Sequence, residues 1–205
     1  MKGQSKYIYS TALALFINLL LVYIAFTLCR VVFLLVNQSY FPDLTSSEIG
    51  RMFTGGLMFD TSAILYTNIL YIVMMFIPLH YKERPLYQKT AKWIFIITNG
   101  LAIVMNLMDT VYFQFTNRRT TASVFSQFSN EDNILGIIGT EIINHWYLTL
   151  IGIVLIYGLY KLYRKPGITK IGSFKIYYAV QTVLFFVVIP FCIFGMRGGI
   201  GRDVR

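Results

Sequence analysis

Charge is scarce in this sequence, and acidic charge is scarcest: there are nine Asp and Glu among 205 residues, and charged side chains make up only 13% of the chain. A soluble domain of ordinary composition carries about a quarter charged residues, so an aqueous surface of the usual kind cannot be assembled from this inventory. Cysteine is nearly absent. Cys29 and Cys192 both fall inside apolar runs with no ligand or redox spacing, which argues against a disulfide framework or a cysteine metal site. Histidine is limited to His80 and His145, on opposite sides of the expected membrane, so a His/Asp/Glu metal cluster cannot be built on them. The chain also lacks a phosphate-cradling glycine loop and any Ser or Cys triad, so no catalytic residue and no resident cofactor are expected of it.

What is present is apolar. Hydrophobic residues make up 56% of the chain and aromatic residues 17%, which places it among membrane proteins. The net charge of +9 does not indicate a nucleic-acid partner, because the basic residues sit in short loops flanking apolar runs rather than in a stripe on a soluble fold. Lys2 and Lys6 precede a first apolar run over 8–36. That run is too long for a signal-peptide core and no small-x-small site closes it, so it reads as an uncleaved transmembrane helix.

The expected fold is all-α: an integral membrane bundle of five transmembrane helices over 8–36, 55–79, 91–115, 146–162 and 177–196. Lys2 and Lys6, then Lys82, Arg84, Lys89 and Lys92, then Lys161, Arg164, Lys165, Lys170 and Lys175 all fall on one side, which makes the N-terminus cytoplasmic and the C-terminus external. Pro85 and Lys165-Pro166-Gly167 break the two inner loops. The outer loops carry more pattern than connectors need. Thr45-Ser46-Ser47-Glu48 matches a capping box and predicts a short interfacial helix leading into the second span. Val124, Phe125, Phe128, Leu135 and Ile138 recur at helical spacing, as suits either helices lying in the headgroup plane or a packed loop over the bundle.

Three charges from three different helices lie in the outer parts of the apolar runs. Arg30 is about 22 residues into the first span, Asp109 about 18 into the third, and Asp60 about one and a half turns into the inward-going second, so all three project to one polar layer near the outer leaflet boundary. Such a layer reads as a pocket in which arginine grips a lipid phosphate, or as a structural ion pair, or as side chains snorkelling to water. Arg118, Arg119, Arg197, Arg202 and Arg205 run against the positive-inside bias. Beside the flexible backbone of Gly198-Gly199 they suit anionic or phosphate-bearing headgroups, while Arg197, Arg202 and Arg205 read equally as part of a linker.

Four stretches carry a family resemblance: Gly55-Gly56-Leu57-Met58-Phe59-Asp60 entering the second span, Asp109-Thr110-Val111-Tyr112-Phe113-Gln114-Phe115 ending the third, Arg118-Arg119-Thr120-Thr121 after it, and Arg197-Gly198-Gly199 after the fifth. Together with the five-span layout they resemble the membrane domain of lipoteichoic acid synthase-like proteins, in the sulfatase and alkaline phosphatase superfamily. The resemblance implies a bacterial cytoplasmic membrane, multi-pass, with 1–196 as the transmembrane domain and 197–205 as the start of a linker to an absent extracytoplasmic catalytic domain. It also implies that a metal-bound threonine in that domain transfers a phosphoglycerol-type group from a lipid, so the divalent metal belongs there and no catalytic residue maps onto this chain. The family's Arg-Phe-Asp at the second span stands here as Met58-Phe59-Asp60, so no arginine role carries over to that position.

The function expected on this basis is a membrane-anchoring, headgroup-presenting module of a phosphoglycerol or phosphoethanolamine transferase or a sulfatase-family enzyme. Arg118, Arg119, Arg197 and Arg202 would hold lipid phosphates, with Arg30, Asp60 and Asp109 as the intramembrane polar layer. Its partners would be outer-leaflet lipids and its own catalytic domain. The alternatives are a stand-alone five-span scaffold or partner subunit and, further off, a transporter, which wants a polar path across the full membrane depth.

Overall fold

In a membrane an apolar run gains by staying helical, because the helix satisfies nearly every backbone donor and acceptor within its own segment. The computed structural model follows this logic. It describes residues 2–42, 45–79, 84–117, 134–166 and 174–196, and these form α1 (Lys2–Val36), a 3-10 turn (Gln38–Tyr40), α2 (Ser46–Phe76), α3 (Pro85–Thr116), α4 (Ile134–Asn144), α5 (Trp146–Leu162) and α6 (Phe174–Met196). No strand occurs among the described residues.

The helix ends have local causes. At α2 the Thr45 side chain accepts from the Glu48 amide while the Glu48 carboxylate accepts from the Thr45 amide at 2.9 Å, a complete capping box. The helix that starts there runs unbroken to Phe76, so the expected separate interfacial helix is instead the first turns of α2. It stops because Ile77 precedes Pro78, and a pre-proline residue is driven to the extended conformation found here, φ −53° and ψ 133°. Pro85 opens α3 at a position where its missing N–H costs nothing, and Asn117 closes the helix in the left-handed region at φ 52°.

Among the described residues four segments are long and apolar enough to cross a membrane: Thr11–Val36, Ser46–Phe76, Pro85–Thr116 and Tyr178–Met196. The fourth expected span corresponds to α5, whose 17 residues make a shorter apolar helix. At 1.5 Å per residue it extends about 26 Å, against about 30 Å of hydrocarbon. Its length is set at one end by His145 and at the other by Tyr163, where the chain turns extended ahead of Pro166.

α1, α2 and α3 pack against one another, α6 lies along α2, α5 lies against α3 and α1, and α4 touches α5. The shared core holds Val22 and Ala25 of α1, Ile64, Tyr71 and Ile72 of α2, and Phe95 and Ile103 of α3, each 0–3% exposed. Gly152 of α5 faces Leu107 of α3 so closely that an added Cβ would sit 3.1 Å from Leu107 Cδ1. The outward faces are as apolar as the inside: Phe16, Phe59, Phe186 and Phe191 are 65–78% exposed. Helices that are hydrophobic all round belong in lipid, and this is a multi-pass membrane protein.

Candidate functional site

Polar side chains inside this bundle are joined in layers. Midway along α1, where the segment after α5 meets it, Asn18 Nδ2 donates to the Tyr71 hydroxyl at 2.7 Å and to the Arg164 carbonyl at 2.9 Å, while its Oδ1 accepts from the Arg164 amide at 2.8 Å. Every polar atom of a fully buried amide is thereby used, and the segment after α5 is clasped to α1. Tyr163, beside that clasp, is buried against Tyr71 and Phe95, and burial pushes its phenol up, so it stays protonated. One turn of α2 away, Asn68 and Asn99 exchange hydrogen bonds at 2.9 and 2.8 Å between α2 and α3.

Toward the opposite end, where α1 finishes, lies a buried ion pair. The Arg30 Nη2 of α1 donates to both oxygens of Asp60 on α2 at 2.8 Å, with the two side chains 11% and 13% exposed. The guanidinium lies directly against Gly56, where an added Cβ would overlap it, and its Cζ is 5.9 Å from the centre of the Phe53 ring. Its Nη1 is enclosed with no acceptor among the described residues. Nearby, Tyr23 donates to Thr61 at 2.6 Å.

Nearer the end of the bundle, Asn37 donates to the Thr110 carbonyl at 3.1 Å and Tyr40 to the Gln114 carbonyl at 3.1 Å, and the rings of Phe33, Tyr40 and Phe41 all meet Phe113 at 5.1–5.7 Å. These contacts fix the end of α1 to the end of α3. Asp109, 7% exposed, sits in this region next to the buried Thr110. Asn37 lies seven residues past Arg30, about 10 Å along α1, which puts Asp109 at a level nearer the bundle end than the Arg30–Asp60 pair. α6 is tied in by the Ser62 hydroxyl, which donates to the Met196 carbonyl two residues along from Asp60.

The structure therefore brings Arg30 and Asp60 together and sets Asp109 at the same end of the bundle. Arg118, Arg119, Arg197 and Arg202 lie outside the described residues. The buried amides Asn18, Asn68 and Asn99 were missed from sequence; their signal was the presence of Asn within apolar runs, which carries a cost in hydrocarbon unless partnered. Between the Asn68–Asn99 layer and the Arg30–Asp60 layer stand the buried Val22, Ala25, Ile64 and Ile103. Among the described residues there is no group of three His, Cys, Asp or Glu able to hold a metal, so the donor set does not fit one and no metal chemistry is assigned to them. Comparison with known proteins gives no matching family model, no matching curated protein and no matching solved structure.

Proposed function

We propose that the chain is the membrane-anchoring, headgroup-presenting module of a lipoteichoic acid synthase-like enzyme, crossing a bacterial cytoplasmic membrane five times with its N-terminus inside. In this reading α5 is a short fourth span, α6 is the fifth, and α4 lies in the outer headgroup plane. The module holds phosphate-bearing lipids of the outer leaflet, while the reaction and its divalent metal belong to an extracytoplasmic domain. The observation that carries the reading is the gathering of charge and chain exits at one end of the bundle. There Arg30 pairs with Asp60, α3 ends at Thr116 just before Arg118-Arg119, and α6 ends at Met196, bonded to Ser62, just before Arg197. Guanidinium forks recognise phosphate oxygens in pairs, and three arginines entering the sequence at these exits supply them. A transport reading is disfavoured by the apolar layer of Val22, Ala25, Ile64 and Ile103, which interrupts the polar side chains.

The test is Arg118→Gln with Arg119→Gln in the whole enzyme. Headgroup transfer should fall on the order of tenfold or more, from ~1 kcal/mol per cation at a membrane surface, while the amount of protein in the membrane stays constant. Unchanged transfer would sink the reading.

A further inference from the structure

Among the described residues the carboxylates lie at one end of the bundle and most of the cations at the other, with Arg30 and Arg51 on the carboxylate side. The carboxylates among the described residues are Glu48, Asp60, Asp109 and Glu141, and all lie toward the end that holds the Arg30–Asp60 pair. Lys89, Lys92, Lys161, Arg164 and Lys165 lie at the other. At that basic end α3 and α5 meet through aromatic rings: Trp93 and Tyr160 have centroids 6.1 Å apart, and Phe95 and Tyr163 are 5.4 Å apart. The Lys92 Nζ sits 3.5 Å above the Tyr160 ring and 5.7 Å from that of Tyr163, and the Lys161 Nζ is 5.5 Å from the Tyr157 ring.

We infer that this α3–α5 seam is a binding site for the headgroup of an anionic phospholipid in the leaflet at the basic end of the bundle. A ring face attracts the Lys92 ammonium without accepting its charge, so the nitrogen keeps hydrogens to give to an anion. Arg164 is exposed, but its backbone is fixed by the two bonds to Asn18 and by the burial of Tyr163 next to it. Its guanidinium therefore starts from a rigid base, which lowers the ordering cost of binding. Below the cations the seam continues into the membrane as apolar side chains on both helices, Ile97 and Leu101 of α3 and Ile153 of α5, each more than half exposed. A phosphate at Lys92 and Arg164 with acyl chains along these residues satisfies both halves of the surface. A soluble anion satisfies only the first. The site is independent of the function proposed above, which concerns the other end.

Thermal melting of the purified chain in neutral detergent tests this, with phosphatidylglycerol, phosphatidylcholine or inorganic phosphate added. Phosphatidylglycerol should raise the melting temperature, and the other two should leave it in place. Lys92→Gln and Arg164→Gln should each weaken the apparent affinity for phosphatidylglycerol about fivefold, as expected for one cation at a lipid surface. Tyr160→Leu keeps every charge but removes the face that positions Lys92, and it should weaken binding too; Tyr160 is 41% exposed, so the fold tolerates the change. Equal stabilisation by phosphatidylcholine overturns the site. So does stabilisation by inorganic phosphate alone, or a Tyr160→Leu variant that binds like the wild type, since affinity would then follow total charge only.

Discussion

Removing the carboxylate of Asp60 leaves the Arg30 guanidinium enclosed against Gly56 and Phe53 with its neutralising partner gone, and Arg30→Leu takes from the Asp60 carboxylate the cation that donates to both its oxygens. Breaking one side of a buried pair typically costs about 3–5 kcal/mol, whereas replacing both partners with apolar residues of similar volume is often close to neutral. Asp60→Leu and Arg30→Leu should therefore each lower the thermal stability of the detergent-solubilised protein strongly. The double variant Arg30→Leu/Asp60→Leu should recover most of the loss. Additive losses in the double variant would mean the two side chains are not energetically coupled, and the ion pair would cease to be the feature that sets α1 against α2. Sequence spacing placed these two residues at similar depth, but depth is one coordinate and pairing needs three. It could not choose Asp60 over Asp109 as the partner of Arg30, because that choice depends on which faces of α1, α2 and α3 meet.

The signals for helix ends are written in a few adjacent residues, yet only the Thr45–Glu48 box was read as one: the second span was drawn through Pro78 to 79, and the third from 91, whereas α2 ends at Phe76 and α3 opens at Pro85. Thr45 with Glu48, Pro78 and Pro85 each act within a turn of where they stand, and α2 and α3 begin or end there. That α2 is one helix from Ser46 onward was not legible in the same way: a separate interfacial helix was expected ahead of a span starting at 55, yet the chain stays helical through the glycines at 50, 55 and 56. The contacts between elements were least legible where they are made by neutral amides. Asn68 and Asn99 register α2 against α3 through two reciprocal bonds, while each also donates to its own helix, to the carbonyls of Ile64 at 3.0 Å and Phe95 at 2.7 Å. Interhelical hydrogen bonds in membranes couple by about 0.6 kcal/mol on average and about 1.7 at most. A pair sharing two such bonds belongs at the upper end. A double-mutant cycle with Asn68→Ala and Asn99→Ala, read by denaturation in detergent, should give a coupling of about 1–2 kcal/mol. A coupling indistinguishable from zero would mean that apolar packing around Tyr71 and Phe95 alone holds the register.

At the scale of the whole molecule, the contacts fix which helix ends lie together. The ends of α1, α3 and α6 and the start of α2 share one end of the bundle, joined by Asn37–Thr110, Arg30–Asp60 and Ser62–Met196 contacts. The end of α5 and the start of α3 share the other, joined through Lys92, Tyr160 and Tyr163. Lysine and arginine near the short loops at the second end favour the cytoplasm under the positive-inside bias, and the proposed reading accordingly puts the first end outside. Ser39 and Lys165 are exposed and lie at opposite ends, and the two natural cysteines are only 2% and 5% exposed, so single cysteines can report the sidedness against a quiet background. A membrane-impermeant maleimide applied to intact cells should label Ser39→Cys directly and Lys165→Cys only after the membrane is opened. The reverse pattern would place the Arg30–Asp60 end in the cytoplasm and remove it from any outer-leaflet role. Labelling of both positions from outside would require α5 or its neighbours to lie on the membrane instead of across it, and the short length of α5 would then be the reason.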